Sequence, residues 1–443
     1  MILFFTFRLK KKNSEDKMLS EDVLCENILL EILSRLRVKS LKRFMCVNKF
    51  FQSLILDPCF VTMHLQNSRK NTNFLLKYLD GDKTSRSVIA PPINSLFEDS
   101  NPLFLDIHGS TLQRNKYQVI GSCNGLVCLA IWRNRKGPSM FQLWNPATKK
   151  YVTYPNSSLK VFKEEKVAML GFGYDNSTHT YKVVAIVSHM DSKYSRSFRS
   201  VICSLNDESN WRDIQNFPVN PAGVEANGIY LNNTINWLGR PNSNDSKYHS
   251  YVRFDKVVIA SLDLETETYT EMLLPHELKG VFIRHLCFPC GQLHCNEVPL
   301  IGVLSGCLSL FLRNRETRHL SIWQIKEIEN QKSWILLLNI SFHDLGVNTI
   351  PTKFDHEYDL WTTLRVDQHF FCSDNNLLPL CMVENDRDIV IIRSSFQGHV
   401  KQTIIYNLRD ETVIVRKMAA NLRWIYPFDY VESLVSPIGS TRT

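Results

Sequence analysis

No apolar run in this sequence is long enough to cross a bilayer, so neither a membrane span nor a membrane partner is expected. A secretory signal is missing as well. Residues 1–7 are apolar, but the basic Arg8, Lys10, Lys11 and Lys12 follow them instead of preceding them, and no small-residue cleavage site comes after. Residues 1–17 read as a disordered extension, with translation starting at Met1 or at Met18. No Gly-x-Ser-x-Gly elbow and no Walker-type phosphate loop occurs. Gly171-Phe172-Gly173 lies among strand-like residues with no helix behind it to hold a pyrophosphate, and reads as a turn. We expect no enzyme, no catalytic residue and no cofactor. Basic residues are not gathered with aromatics on one stretch, and a net charge of +8 is moderate for 443 residues, so nucleic acid is not an expected partner.

The composition, 44% apolar and 22% charged, is that of a globular protein. Its length favours one small domain plus one large one. The 12 cysteines are scattered, and Cys46, Cys128, Cys203 and Cys307 sit inside apolar runs. Reduced thiols behave in this way as small hydrophobes, which places the chain in the cytoplasm or the nucleus. Residues 285–295 hold Cys287, Cys290, His294 and Cys295, a possible zinc set. Zinc ligands normally come as two pairs from separated segments, so a variable β loop with free thiols is the favoured reading and no metal is expected.

From residue 24 to residue 60 the pattern is helical. Ile28, Leu29, Ile32, Leu33 and Leu36 recur at spacings of three and four, with Glu26, Asn27, Glu31, Ser34 and Arg35 on the other face. Val38, Leu41 and Phe44 mark a second helix, and Val47, Phe51, Leu54 and Ile55 a third that Asp57-Pro58 stops. Three such short helices form a core too small to stand alone.

The order Leu24-Cys25-Glu26-Asn27-Ile28-Leu29-Leu30-Glu31-Ile32-Leu33, Val38-Lys39-Ser40-Leu41 and Cys46-Val47-Asn48-Lys49-Phe50-Phe51 closely resembles the F-box of the large plant F-box family. That resemblance implies docking on a Skp-family adaptor and, through it, a cullin. It carries an adaptor-binding surface onto Leu24, Cys25, Ile28, Leu29, Ile32, Leu33, Leu36, Val38 and Leu41, some of which fill the F-box interior instead. Two family prolines are replaced, by Cys25 and by Arg37. A first-turn proline presets φ without losing a hydrogen bond, so its absence loosens the loop without abolishing the helix. Arg37 has to bend its charged end into solvent, and a weakened adaptor affinity is expected.

Residues 63–113 read as a polar connector with one strand near residues 74–77. Beyond them, short apolar runs alternate with Gly, Asn and Asp turns, an all-β texture. The runs repeat: Gly125-Leu126-Val127-Cys128 leads to Trp144-Asn145-Pro146-Ala147-Thr148, Gly228-Ile229-Tyr230-Leu231 to Leu262-Asp263-Leu264-Glu265-Thr266, and Gly306-Cys307-Leu308 to Ile322-Trp323. Two further units begin at Gly171 and Asp388. Five units of several strands each predict a β-propeller, because one blade cannot bury both of its faces. The last interval has room for a sixth, and a two-sheet sandwich of the same strands is the rival fold. Trp144, Trp237 and Trp323, at equivalent places in their units, are assigned to blade core.

These strings, with Gly121-Ser122-Cys123-Asn124-Gly125, resemble the F-box-associated, Kelch-like domain of plant F-box proteins. The expected plan is a disordered 1–17, an all-α three-helix F-box over 18–62, a connector over 63–113, an all-β propeller domain over 114–436 and a tail over 437–443. The function implied is that of the substrate-recognition subunit of an SCF-type ubiquitin ligase, its loops at one end holding an unidentified protein target. Such a receptor acts through effective concentration and needs no nucleophile. The alternative is a propeller-type binding module whose degenerate F-box works outside a ligase.

Overall fold

The computed structural model describes residues 19–68, 72–73, 76–79, 86–89, 116–132, 137–155, 166–192, 195–205, 210–221, 227–241, 251–278, 282–284, 299–314, 317–326, 333–346, 377–383, 389–396, 400–417, 422–424 and 430–437. Helices α1 (Leu19–Ser34), α2 (Val38–Met45), α3 (Lys49–Leu56) and α4 (Pro58–Ser68) come first. The helices therefore number four, not three. Asp57-Pro58 does stop α3, but it also starts α4. Asp57 Oδ1 accepts from the backbone N–H of Cys59 at 2.8 Å, and Pro58 takes the first helical position, where a missing N–H costs nothing.

Residues 63–113 are also more than a connector. They carry the end of α4 and strands β1 (Thr72–Asn73), β2 (Leu76–Leu79) and β3 (Arg86–Ile89). Five antiparallel sheets follow. The first holds β4 (Lys116–Cys123), β5 (Leu126–Trp132), β6 (Pro138–Asn145) and β7 (Lys150–Pro155). The second holds β8 (Lys166–Asp175), β9 (Thr180–Ser192), β10 (Ser195–Ser204) and β11 (Trp211–Asp213). In the third, β12 (Val219–Pro221) and β13 (Ile229–Leu231) both pair with β14 (Thr234–Pro241), so its inner strand comes in two pieces.

Beside the third sheet β15 (Tyr251–Arg253) leaves the path, and β16 (Val258–Asp263) and β17 (Tyr269–Leu273) complete it. Strand β18 (Phe282–Arg284) pairs with β15 in a separate ribbon. The fourth sheet is β19 (Leu300–Leu304), β20 (Cys307–Asn314), β21 (His319–Ile325) and β22 (Trp334–Ser341). The fifth is β23 (Leu377–Val383), β24 (Ile389–Phe396), β25 (Val400–Asn407) and β26 (Val413–Lys417).

The last two strands, β27 (Leu422–Trp424) and β28 (Tyr430–Val431), close the ring. β2 lies between β3 and β27, with Leu76 opposite Trp424, and β1 pairs with β28. A sixth sheet is thus shared between the two ends of the β region. First strands of successive sheets lie against one another, β4 on β8, β8 on β13, β13 on β19 and β19 on β23. This radial stacking is a propeller and excludes the two-sheet sandwich.

The faces between neighbouring sheets are apolar. Phe141, Phe172 and Val183 fill the first interface, and Ile186, Ile202, Trp237 and Ala260 the second. Burying each large side chain contributes about 1.5–3 kcal/mol. Trp144, Trp237 and Trp323 are 5%, 1% and 8% exposed and belong to these cores as expected. Gly171 and Gly173 are not in a turn. Both lie inside β8, where a Cβ would come 2.6 Å from Trp237 Cζ2 and 2.4 Å from Tyr230 Cδ2, so glycine is what lets the third sheet approach.

Five turns share one plan. An Asn or Asp accepts backbone N–H groups two or three residues on, and the fourth residue after it takes a positive φ. The pairs are Asn145 with Lys149 (62°), Asp175 with His179 (54°), Asp263 with Glu267 (57°), Asn314 with Arg318 (56°) and Asn407 with Glu411 (54°). The side-chain bonds offset the left-handed backbone cost of about 1–2 kcal/mol.

Two of these turns, those of Asp175 and Asp263, join in an ion network. The Lys182 ammonium, on β9, lies 2.8 Å from Asp175 and 3.0 Å from Glu267, and donates to the Leu264 carbonyl. Arg212 grips Glu267 with two nitrogens. The network fastens the second sheet to the third. Burial by itself would raise the Asp175 carboxyl, but hydrogen bonds from Lys182, Thr178 and Ser177 hold it well below the usual carboxylate range. Glu267 is lowered too, against burial, by Arg212 and Lys182.

Residues 430–437 run along the first sheet. The buried Asn145 donates through Nδ2 to the carbonyls of Ser433 at 3.0 Å and Val435 at 2.8 Å, while Ser433 Oγ donates to the Asn124 carbonyl at 2.9 Å. Beside Asn124, Gly125 has a φ of 76°, and a Cβ there would sit 2.3 Å from Ser433 Oγ.

Asp175→Ala leaves the Lys182 ammonium buried without its nearest carboxylate and lowers stability by about 3–5 kcal/mol in urea unfolding. Because the folded carboxyls of Asp175 and Glu267 lie below their unfolded values of about 4, their contribution is complete above that pH and is lost as pH falls through and below it. The urea midpoint of wild type therefore drops between about pH 5 and pH 3, and that of Asp175→Ala drops less. Asn145→Ala, which orphans two buried carbonyls, costs about 2 kcal/mol or more and makes the C-terminal residues the first site of limited proteolysis.

Candidate functional site

The helices pack around Leu33, Leu41, Ile55 and Phe60, each at most 2% exposed. Leu29, Leu36, Phe44, Phe51 and Leu54 pack against them. Asn48 caps α3 through Oδ1, accepting from the Phe51 N–H at 2.9 Å. His64 is buried on α4, its Nε2 2.9 Å from the Leu36 carbonyl, and burial pulls its pKa down while that bond and Glu432 oppose the shift.

The nine residues singled out from sequence divide into groups. Leu24 and Cys25 lie inside α1, with side chains outside the described residues, so Cys25 stands in a helix interior and not in the first turn that the sequence suggested, and no loop is there to loosen. Leu33, Val38 and Leu41 are interior, and Leu29 and Leu36 are half-buried. Ile28 and Ile32, one helical turn apart on α1, are 54% and 55% exposed. Sequence reasoning missed two further exposed apolar residues of the bundle, Phe50 at 50% and Leu56 at 53%. It also placed Val47 in a helical stripe, whereas Val47 sits in the α2–α3 loop, 65% exposed. Five large apolar side chains are thus exposed on this small bundle. The signal for Phe50 was its neighbour: Phe51 takes the inward place on α3 and turns Phe50 out.

Arg37 occupies the α2 N-cap with φ −64°, the value that a proline ring fixes, and its side chain is exposed and makes no capping bond. The backbone has kept the conformation of the missing proline. In place of a side-chain cap, the Val38 N–H donates to Glu432 Oε2 at 3.3 Å. Lys42 Nζ donates to the Thr148 carbonyl at 2.8 Å, and Leu434 joins the helical core. The bundle is therefore seated on the first sheet by the closing segment.

In an antiparallel meander, the first-to-second and third-to-fourth turns share one end of the sheet. The helices meet that end, at the β6–β7 turn. The strand ends flanking residues 156–165, 242–250, 285–298 and 347–376 lie at the other. The possible zinc set within residues 285–295, read from sequence as a loop with free thiols, lies outside the described residues. Among the described residues no three His, Cys, Asp or Glu side chains are grouped to hold a metal ion.

Comparison with known proteins matches an F-box domain model over residues 22–62 and an F-box associated beta propeller domain model over residues 92–437. An F-box/kelch-repeat protein of Arabidopsis thaliana is 31% identical over 329 residues, 73% of this chain and 81% of its own length. The Arabidopsis thaliana Protein SUPPRESSOR OF NIM1 1 is 27% identical, covering 70% of this chain and 78% of its own. The F-box protein CPR1, also of Arabidopsis thaliana, is 24% identical over 71% and 72%. With an F-box model at its N-terminus and the propeller model over more than half of its length, the chain belongs to the family of F-box proteins that carry an F-box-associated β-propeller domain.

Proposed function

We propose that this protein is the substrate-recognition subunit of an SCF-type ubiquitin ligase in the cytoplasm or nucleus. Its helices dock on a Skp-family adaptor, and its propeller holds a protein target for ubiquitination. The observation that carries this reading is the exposed apolar set Ile28, Ile32, Val47, Phe50 and Leu56 on a bundle whose interior is already filled by Leu33, Val38 and Leu41. The adaptor surface is assigned to Ile28 and Ile32, to the neighbouring Leu24 and Cys25, and to the outward edges of Leu29 and Leu36. Leu33, Val38 and Leu41 serve it by holding the helices apart at the right spacing. The target is assigned to the end of the propeller away from the helices, since loops on a rigid scaffold are where binding residues gather. The receptor itself performs no chemistry; it raises the local concentration of target near the conjugating enzyme.

A second reading, a binding module outside a ligase, is favoured by Cys25 and Arg37 standing where the family has proline. Co-purification with a plant Skp adaptor separates the two. We expect wild type to form the complex and Ile28→Asp with Ile32→Asp to lose it by at least about tenfold, with unchanged thermal unfolding because both side chains are exposed. Arg37→Pro, at a position whose φ of −64° already suits proline, tightens the complex, whereas proline at Cys25, inside α1, would break the helix. No complex with wild type, but one with Arg37→Pro, establishes the second reading instead.

A further inference from the structure

The first five sheets of the propeller each end at the outer wall in a strand with one free edge, and such an edge resists pairing with another chain when it is short or charged. Four of the five outer strands follow that rule. β7 carries Lys150, β11 Arg212 and Asp213, β17 Glu271, and β26 Arg416 and Lys417, and they have 6, 3, 5 and 5 residues. β22 differs in both respects. Its 8 residues, Trp334-Ile335-Leu336-Leu337-Leu338-Asn339-Ile340-Ser341, include no charge and no proline. It stands last in its sheet, and among the described residues it forms a ladder with β21 only. Apolar segments of this length without charge or proline are the ones that add a further strand most readily.

The wall beside this edge is apolar as well. Ile335 and Leu336 are 41% and 47% exposed, and Leu273, at the end of β17, is 55% exposed. The Trp334 indole N–H donates to the Leu273 carbonyl at 3.0 Å, which brings Leu273 beside the start of β22 and makes one patch across the seam between the third and fourth sheets. A bulge at Leu337 interrupts the ladder, since Ile322 faces Leu338 while Trp323 faces Leu336. It bends the edge, confines straight pairing to residues 338–341 and leaves Ile335 and Leu336 to meet a neighbour through their side chains.

We infer that the occupant of this edge is a second copy of the chain, its β22 antiparallel to the first across a two-fold axis. The absence of charge selects it. A charged strand laid here would lose water from its charges and find no counter-charge on β22, whereas a second β22 brings none. The axis of such a pair stands normal to the sheet, so the side that faces the third sheet in one copy turns to the same side of the other, and Leu273, Ile335 and Leu336 meet their own counterparts. A stable interface buries about 800 Å² per partner, more than this edge and patch supply, so the dimer is weak, with a Kd on the order of 10 μM. Being isologous, the contact closes at two copies. The helices sit on the first sheet, three places round a ring of six from the fourth, so both helical units stay open. The pairing does not depend on the receptor reading; combined with it, two target-binding ends act together.

The test is analytical ultracentrifugation of the full chain, without adaptor, from about 1 to about 200 μM, with hydrogen exchange read at both ends of that range. Wild type is expected to pass from monomer to dimer, and the outward amide protons of residues 338–341 to exchange more slowly in the dimer. Leu336→Lys sets like charges on both sides of the axis and weakens the dimer at least about tenfold, with unchanged thermal unfolding because the side chain is exposed. Ile414→Lys, the same kind of change on the exposed face of β26, leaves the dimer as it was. Wild type that stays monomeric throughout overturns the inference, and so does a dimer that both substitutions weaken equally or that neither weakens. Outward amides of residues 338–341 already protected at about 1 μM show that the chain itself covers the edge, and overturn it too. Ile28→Asp with Ile32→Asp, which tests the receptor reading, keeps the dimer, so the two readings fail separately.

Discussion

Everything in this molecule depends on the pairing of strands from opposite ends of the β region. A propeller sheet has two apolar faces, and each is dry only if a sheet stands on either side. An open arc would leave the faces at its ends in water. β2 beside β27 and β1 beside β28 remove those ends. β28 and the segment after it reach three cores at once: Tyr430 in the large central cluster, Val435 against the first and second sheets, and Leu434 against the helices. Closure of the ring and seating of the helices are consequently one event.

Charge is handled in opposite ways in the two domains. Inside the propeller, Asp175, Lys182, Glu267 and Arg212 alternate in sign, and each finds a partner within the protein. On the helices, Arg37, Lys39, Arg43 and Lys49 find none among the described residues. Compensated charge fixes one sheet against the next and gives a single register. Uncompensated charge is a property of a surface awaiting a partner.

How much of this was legible in the sequence follows from how local each feature is. The α1 stripe is visible because Ile28, Leu29, Ile32 and Leu33 answer to a helical period within one element. The blade cores around Trp144, Trp237 and Trp323 are visible because the same string recurs. The closing sheet was not, since β2 and β3 have only four residues each and the partner of Leu76 is Trp424, far along the chain. Gly171 was misread as a turn because nothing local reveals Trp237 pressing on β8. At the candidate site, the stripe could not say which of its members would be left outside. Leu33 and Ile32 look alike in sequence, and only the positions of α2, α3 and α4 decide that one is 2% and the other 55% exposed. The five Asx turns were legible in principle, as an Asn or Asp four residues before a left-handed position, but their spacing differs from the Gly-based hairpin signals usually sought.

The seat of the helices has a consequence in time. A ribosome makes α1–α4 long before Glu432 and Leu434, on which they rest. Until then the helical unit is tethered to an unclosed arc, with no fixed direction relative to the sheets. A transcript cut short before residue 430 would yield a chain with its docking helices present and its geometry absent.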